Sequence, residues 1–387
     1  MRRRVALIHL ILSLDYEIFG NGAGDVIRDV AYPTSRLLNI CERHAAKMTI
    51  MFEVGEYWAF EQYETRLRRQ WGYSPAQIMR EQAVEAVQRG HDVQLHLHPQ
   101  WIGAEYGEGG WRLRNSYWRL ADLPEGLGDK ERLASITGAL FRGKQTLEEM
   151  IRPVKSDYEC ICFRAGGFYA QPSRSIIQAM KRVGLRADSS VVKGYRKTGS
   201  FAVDYSRVET GEAVWWTTDT EFTEKGRPGE NVIEFPVSAR MEPYWSNFKP
   251  AKIRAALRRR QIERAYRNGH THGDSCGMSS VPSYRTILTK LLSRHASTFD
   301  FCKLSCKDMR KRIREVDERQ HRPVVMIGHS KDFLNDRQFD EFLGTLSEDT
   351  NVGFVTLSES IQNSLCVPGV SRLSETVDSA VKESQVR

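Results

Sequence analysis

The chain has 387 residues and a formal net charge of +8, with 40% hydrophobic and 27% charged residues, which fits a globular protein with a sizeable core. The basic residues could favour an anionic surface or substrate, but they form no recognisable nucleic-acid module, so we expect no nucleic-acid partner. No apolar stretch reaches the roughly 18 residues of a membrane span.

The N-terminal region resembles a secretory signal peptide, because three arginines at 2–4 precede an apolar run at 5–14. No small-residue cleavage site follows, and the run ends in Asp15-Tyr16-Glu17, so a buried strand is the better interpretation. The seven cysteines are odd in number and irregularly spaced, which favours reduced thiols and a cytoplasmic protein.

Apolar runs and apolar residues at helical spacing alternate along the chain. They predict strands at 5–14, 48–54, 93–98, 159–164, 186–192, 213–217, 231–237, 323–328 and 352–356. They predict helices at 33–46, 75–89, 131–151, 172–183, 336–346 and 357–365. This alternation indicates an α/β fold with a largely parallel sheet.

Three regions depart from the alternation. Residues 102–130 are rich in Gly, Trp, Tyr and Arg and are predicted to form a long functional loop rather than packed structure. Residues 245–320 contain a basic segment at 249–267 and an apolar-periodic segment at 281–296, which predict a helical insertion or subdomain. Residues 368–387 are polar and are predicted to be a disordered tail, so the main domain is expected to span 1–367.

Several predicted strands end in ionisable residues: Asp15 and Glu17, His96 and His98, Arg164, Asp188, and His329. In a β/α barrel the carboxyl ends of the strands meet at one face and form a single site. We therefore expect these side chains to lie close together.

The pair His96 and His98 is the first candidate for metal binding. Side chains at i and i+2 of a strand share a face, with Cα atoms roughly 6.5 Å apart, and Pro99 ends the strand. A His-x-His pair is a weak signal alone, and two ordinary surface histidines are the alternative. Asp15 and Glu17 have the same spacing, although either could instead cap a turn.

One carboxylate with two imidazoles suits Zn²⁺ or another borderline divalent ion and leaves room for water and substrate. A second carboxylate could act as general base, His329 could protonate the leaving group, and Arg164 could orient the base or the substrate. Together they describe metal-assisted hydrolysis of an amide or ester. The alternatives are a structural ion pair for Arg164, a hydrogen-bonded strand-end histidine for His329, and turn chemistry for Asp188.

The motifs resemble those of the polysaccharide deacetylase superfamily (NodB-homology domains, carbohydrate esterase family 4), in a branch with D-x-E and H-x-H motifs. The resemblance rests on Asp15-Tyr16-Glu17, the stretch from Gly90 to Trp101, Arg164-Ala165-Gly166-Gly167-Phe168 and Met326-Ile327-Gly328-His329, in that order. It implies a distorted (β/α) barrel and metal-dependent removal of N- or O-acetyl groups from sugars.

Carried over residue by residue, the resemblance makes Asp15 the base and Glu17, His96 and His98 the metal ligands. His329 becomes the acid, and Arg164 the orienting residue. The expected substrate-binding residues are Trp101, Gly166, Phe168 and Asp188.

The chain also departs from the family pattern. The common motif has its second histidine four residues after the first, where this chain has Gln100, so His98 has to substitute. The common first motif has two aspartates, whereas here the second acid is Glu17.

The leading expectation is a cytoplasmic, zinc-dependent deacetylase of an acetylated sugar, in cell-surface polysaccharide or lipopolysaccharide biosynthesis. One alternative is a catalytically inactive member that binds a glycan or a partner through the same cleft. The other is a hydrolase of a non-sugar amide. The sequence does not indicate an oligomeric state.

Overall fold

The computed structural model describes residues 8–199, 201–209, 213–248, 253, 257, 260–261, 293–316, 323–349 and 351–365. The strands, in chain order, are β1 (Ile8–Tyr16), β2 (Met48–Glu53), β3 (Asp92–Leu97), β4 (Glu105–Gly107), β5 (Gly110–Arg112), β6 (Cys162–Ala165), β7 (Ala187–Asp188), β8 (Arg196–Lys197), β9 (Val203–Asp204), β10 (Trp215–Trp216), β11 (Ile233–Glu234), β12 (Ala239–Pro243), β13 (Arg294–Thr298), β14 (Pro323–His329) and β15 (Val352–Phe354). The α-helices are α1 (Tyr32–Arg43), α2 (Val54–Gln62), α3 (Glu64–Trp71), α4 (Pro75–Gln88), α5 (Ile136–Ile151), α6 (Arg174–Val183), α7 (Cys306–Arg314), α8 (Asp336–Ser347) and α9 (Leu357–Leu365).

A nine-stranded sheet in the order β10-β11-β7-β6-β3-β2-β1-β14, with β15 also paired to β1, forms the centre of the fold. Its strand pairs are parallel apart from β10 with β11. The sheet is curled: Val237, just beyond β11, forms isolated parallel bridges to Val192 and to Val325 on β14. This curled, half-barrel sheet is consistent with the expected distorted barrel, and the predicted α/β class with a largely parallel sheet is confirmed.

Both faces of the central strands are covered, so even their polar residues are buried. All six residues of β2 and all six of β3 are buried. Parallel strands of this kind face the barrel interior on one side and the helix layer on the other. The predicted start of α4 is also confirmed: Pro75 is its first residue, and the Ser74 hydroxyl accepts the backbone N–H of Gln77 at 3.0 Å.

The prediction that residues 102–130 form a loop without packing is wrong in part. The strands β4 and β5 form an antiparallel hairpin within it. Trp111 is buried, with its ring centroid 5.1 Å from that of Trp101 and 5.5 Å from that of Phe60. The composition indicated a loop, but the aromatic side chains bury this segment against α2. Helices α2 and α3 are not among the helices predicted from the sequence.

The predicted helix at 281–296 is wrong at its end, because residues 294–296 belong to β13, which pairs antiparallel with β12. Immediately beyond this strand, Asp300 bridges Ile327 on β14, so the chain here joins the barrel wall. Most of the predicted basic helix at 249–267, residues 268–292 and 317–320 of the predicted insertion, and the 368–387 tail lie outside the described residues.

In the described ranges, no helix is both long enough and apolar enough to cross a membrane. The cysteines in the described ranges, at positions 41, 160, 162, 302 and 306, are free; a reduced state in the cell stays a prediction.

Candidate metal centre

The ionisable residues predicted from strand ends do meet at one edge of the sheet. In the pairing register, Asp15 on β1 lies opposite His329 on β14. His96 on β3 lies between Glu53 on β2 and Arg164 on β6. Because these strands are parallel and adjacent, their carboxyl ends bring acids, imidazoles and a guanidinium together.

Four side chains form a cluster that could bind a metal ion. Glu17, Glu53, His96 and His98 each offer one ligand atom, and these atoms all lie within 4.8 Å of one another. Glu17 Oε2 lies 2.8 Å from His98 Nε2 and 3.4 Å from His96 Nε2. Two imidazoles with two carboxylates are a donor set that suits zinc and similar divalent ions.

His96 is held in the orientation that a metal ligand needs. Its Nδ1 lies 2.9 Å from the backbone carbonyl of Arg164 and donates to it, so Nε2 faces the carboxylates. Nε2 is buried and has no hydrogen-bond partner in the described part of the chain. A buried nitrogen of this kind calls for a partner, and a metal ion fits the place.

The charges around His96 also favour a cation at this place. Burial lowers the pKa of His96, but the carboxylates of Asp15 and Glu17 raise it to about 9. Without a metal, the ring therefore holds a proton at neutral pH. Metal binding would have to release this proton, which makes metal affinity depend on pH.

Glu53 is a site residue that the sequence reading missed. Its Oε1 accepts the backbone N–H of Gly55 at 2.9 Å, and its Oε2 accepts that of His98 at 2.8 Å. The same carboxylate therefore caps α2 and fixes the end of β3. Burial raises its pKa. The available signal was its position as the last residue of β2, beside β1 and β3.

Lys331 is a second residue that the sequence reading missed. Its ammonium donates to Glu17 Oε1 at 2.6 Å and to the carbonyl of Ile18 at 2.7 Å. Burial raises the pKa of Glu17, but Lys331 and His98 together hold it well below the usual range. Because Lys331 binds Oε1, Glu17 presents Oε2 to the two histidines.

Asp15 and Arg164 form a buried ion pair beside the cluster. Arg164 Nη1 donates to Asp15 Oδ1 at 2.6 Å, and its Nη2 donates to the hydroxyls of Ser13 at 3.0 Å and Ser189 at 2.9 Å. Burial raises the pKa of Asp15, but Arg164 outweighs it, and the pKa lies below its usual value. Asp15 is therefore ionised at neutral pH, as a general base must be.

His329 completes the edge of the site. Its Nε2 lies 3.6 Å from Asp15 Oδ2 and 4.0 Å from Glu17 Oε1. Burial, and then the nearby Lys303 ammonium, lower its pKa, so the resting imidazole is neutral at neutral pH. It therefore has to gain a proton during a reaction cycle before it can give one to a leaving group.

The residues expected to contact substrate lie in different surroundings. Gly166 packs directly on His98, and Phe168, half-buried, follows in a left-handed conformation with φ of 64°. Trp101 is only 2% exposed and packs against other aromatic rings. Asp188 is fully buried and accepts hydrogen bonds from the backbone N–H and the hydroxyl of Ser190. Substrate contact by these four residues stays a prediction.

No family model and no curated protein matches the chain. One similar solved structure is the "putative polysaccharide deacetylase from Mycobacterium smegmatis", at 11% identity and a TM-score of 0.44, covering 94% of this chain and 92% of the other. Another is 4-alpha-glucanotransferase from Thermococcus litoralis, at 12% identity and a TM-score of 0.46, covering 92% of this chain but 40% of that protein. At these identities and TM-scores, neither match assigns an activity to this chain.

Proposed function

We propose that the protein is a metal-dependent deacetylase that hydrolyses an N- or O-acetyl group of a sugar, with zinc as the favoured ion. The observation that carries the proposal is the convergence of two imidazoles and two carboxylates within 4.8 Å of one another, beside the ionised Asp15. Metal ligands and a separate, charged base are the two parts that metal-assisted hydrolysis requires.

Glu17, Glu53, His96 and His98 would hold the ion. When bound, such an ion lowers the pKa of a coordinated water and polarises a carbonyl oxygen. Asp15 accepts the proton of the attacking water at Oδ2, because Arg164 already occupies Oδ1. His329 Nε2 lies 3.6 Å from Asp15 Oδ2, within reach of a short proton movement, and it protonates the leaving nitrogen or oxygen.

The sugar part of the proposal comes from the order of motifs in the sequence. A D-x-E motif, the H-x-H motif, the arginine motif and the late histidine motif resemble those of sugar deacetylases. The structure brings their residues to one edge of the sheet, with Asp15 opposite His329 and His96 opposite Arg164. A surface-glycan precursor is the substrate class that we propose.

One observation favours a second candidate, a metal-free member that binds a glycan or a partner. Lys331 and His98 already contact the two oxygens of Glu17, at 2.6 and 2.8 Å. The carboxylate charge is therefore balanced without an ion. In that case, the cleft would recognise a ligand without hydrolysing it.

The test is acetate release from a panel of N- and O-acetylated sugars, with zinc and with a chelator. Asp15→Asn serves as the base-deficient control. We expect zinc-dependent acetate release that Asp15→Asn reduces by roughly 100-fold or more, since general-base catalysis contributes about 10²–10⁴-fold. Zinc binding without acetate release across the panel would favour a non-sugar amide as substrate. Binding of a sugar without zinc would favour the metal-free candidate.

A further inference from the structure

Gln100 stands where the family resemblance would place the second histidine, four residues after His96. It is 1% exposed. Its Nε2 lies 3.1 Å from His98 Nδ1, and its Oε1 is buried without a hydrogen-bond partner in the described ranges. A buried amide oxygen left unpaired costs free energy, so the position calls for an explanation.

In both histidines of the cluster, Nδ1 faces a polar group of the protein. His96 Nδ1 faces the carbonyl of Arg164 at 2.9 Å, and His98 Nδ1 faces the side-chain amide of Gln100 at 3.1 Å. The hydrogen-bond partner of one ring nitrogen decides which of the two nitrogens carries the proton. In a metal-binding histidine, the nitrogen that does not bind the metal normally donates a hydrogen bond. The carbonyl at His96 can only accept, whereas the amide at His98 can either accept or donate.

We propose that Gln100 is the positioning residue that sets the tautomer of His98. With its nitrogen toward Nδ1, as in the structure, Gln100 donates to the ring, and the proton of the neutral ring is then on His98 Nε2, which lies 2.8 Å from Glu17 Oε2. A half-turn of the amide brings Oε1 to Nδ1. The ring then donates from Nδ1, and the lone pair of Nε2 faces the cluster.

This inference rests on the proposed metal centre, and it explains how the centre works without a histidine at position 100. Gln100 does not bind the ion, but it makes His98 a competent ligand. With its nitrogen toward Nδ1, the amide stabilises the metal-free contact of His98 with Glu17. With its oxygen toward Nδ1, the same amide stabilises the tautomer of His98 that can bind a metal ion. Removal of the amide should leave Nδ1 without a partner and weaken metal binding by about 10–100-fold, the usual effect of losing such a contact.

The experiment compares Gln100→Leu, which removes the contact, with Gln100→Glu, which only accepts when ionised. The control is Gln82→Leu, because Gln82 is a buried amide whose hydrogen bonds go to Ala31 and Ser35 rather than to the site. Zinc affinity is measured by competition with a chromophoric chelator. We expect a 10–100-fold loss for Gln100→Leu, retention within a few-fold for Gln100→Glu, and no change for the control.

A second measurement, on metal-free protein, separates this inference from the proposed function. The ¹⁵N chemical shifts of His98 are recorded in alkaline buffer, at a pH where they no longer change and therefore report the tautomer alone. The inference predicts Nε2–H in the wild type and Nδ1–H in Gln100→Glu, with the His96 shifts unchanged as a check on folding. An identical His98 tautomer in both proteins would overturn the inference whether or not zinc binds. Absence of zinc binding by the wild type, with the tautomer change present, would refute only the proposed function.

Discussion

Substitution of Gly166 by alanine should push His98 out of the metal cluster. A Cβ at position 166 would lie 2.4 Å from His98 Cδ2, 2.5 Å from Cγ and 2.9 Å from Cα. Carbon atoms in favourable contact are about 3.5–4.0 Å apart, so the imidazole has to move by roughly 1 Å. Because the Cα atom is also too close, rotation of the ring alone cannot relieve the overlap.

The expected loss of metal affinity follows from this displacement. Metal–ligand distances are held within about 0.2 Å, so a shift of roughly 1 Å takes His98 out of effective coordination. We expect affinity to fall about 100-fold, the upper end of the effect of disturbing a ligand's support, which corresponds to about 2.8 kcal/mol. The crowding itself should lower the free energy of unfolding by about 1–3 kcal/mol.

The assay is a zinc titration against a competing chelator, together with urea denaturation in the absence of metal. Gly128→Ala is the matched control, because a Cβ at position 128 would meet no atom within 4 Å. If Gly166→Ala folds and binds zinc as tightly as the wild type, then His98 is not held in place by this contact, and the reasoning fails.

Three further predictions concern buried carboxyl groups. Asp15→Asn should lower the free energy of unfolding of the metal-free protein by about 3–5 kcal/mol, because it leaves the Arg164 charge buried without its partner. The double variant with Asp15→Asn and Arg164→Met should lose less free energy of unfolding, measured by urea denaturation, than the sum of the losses of the two single variants. Strictly additive losses would contradict an energetic coupling between Asp15 and Arg164. Burial raises the pKa of Glu234 well above 4.5, so the folded state retains a proton that the unfolded state loses, and the contribution of this carboxyl to stability should fall as the pH rises above about 4.5. Glu234→Gln should flatten that slope, and an unchanged slope would refute this assignment. Glu53→Gln retains an oxygen for the N–H of Gly55 but should weaken zinc binding at least about 10-fold; equal affinity would limit Glu53 to a structural role.

The barrel and much of the site could be predicted because central strands leave a clear record in the sequence. A parallel strand covered on both faces is usually apolar along its length, as β1 and β14 are, so an ionisable residue at its end stands out. This pattern predicts Asp15 and His329, whereas His96 is predicted from its i, i+2 spacing to His98 just before Pro99. The pairing register that places Asp15 opposite His329 joins two neighbouring strands that are far apart in the chain, and no local pattern encodes it.

The missed residues depend on contacts that are distant in sequence. Glu53 is a single acid at a strand end, and its importance arises from the backbone N–H of His98, 45 residues away. Lys331 lies in the turn after β14 and reaches Glu17 across 314 residues. The composition of 102–130, rich in Gly, Trp, Tyr and Arg, predicts a loop, but burial of Trp111 stabilises the hairpin of β4 and β5.

The most direct test of the account is the metal content of the purified protein. Elemental analysis after zinc loading and desalting should find one zinc ion per chain in the wild type, and His96→Ala and His98→Ala should each lose it. Both variants should retain the wild-type circular dichroism spectrum. A wild-type chain that holds no divalent ion at any pH from about 6 to 9 would contradict the proposed metal centre and the hydrolase built on it.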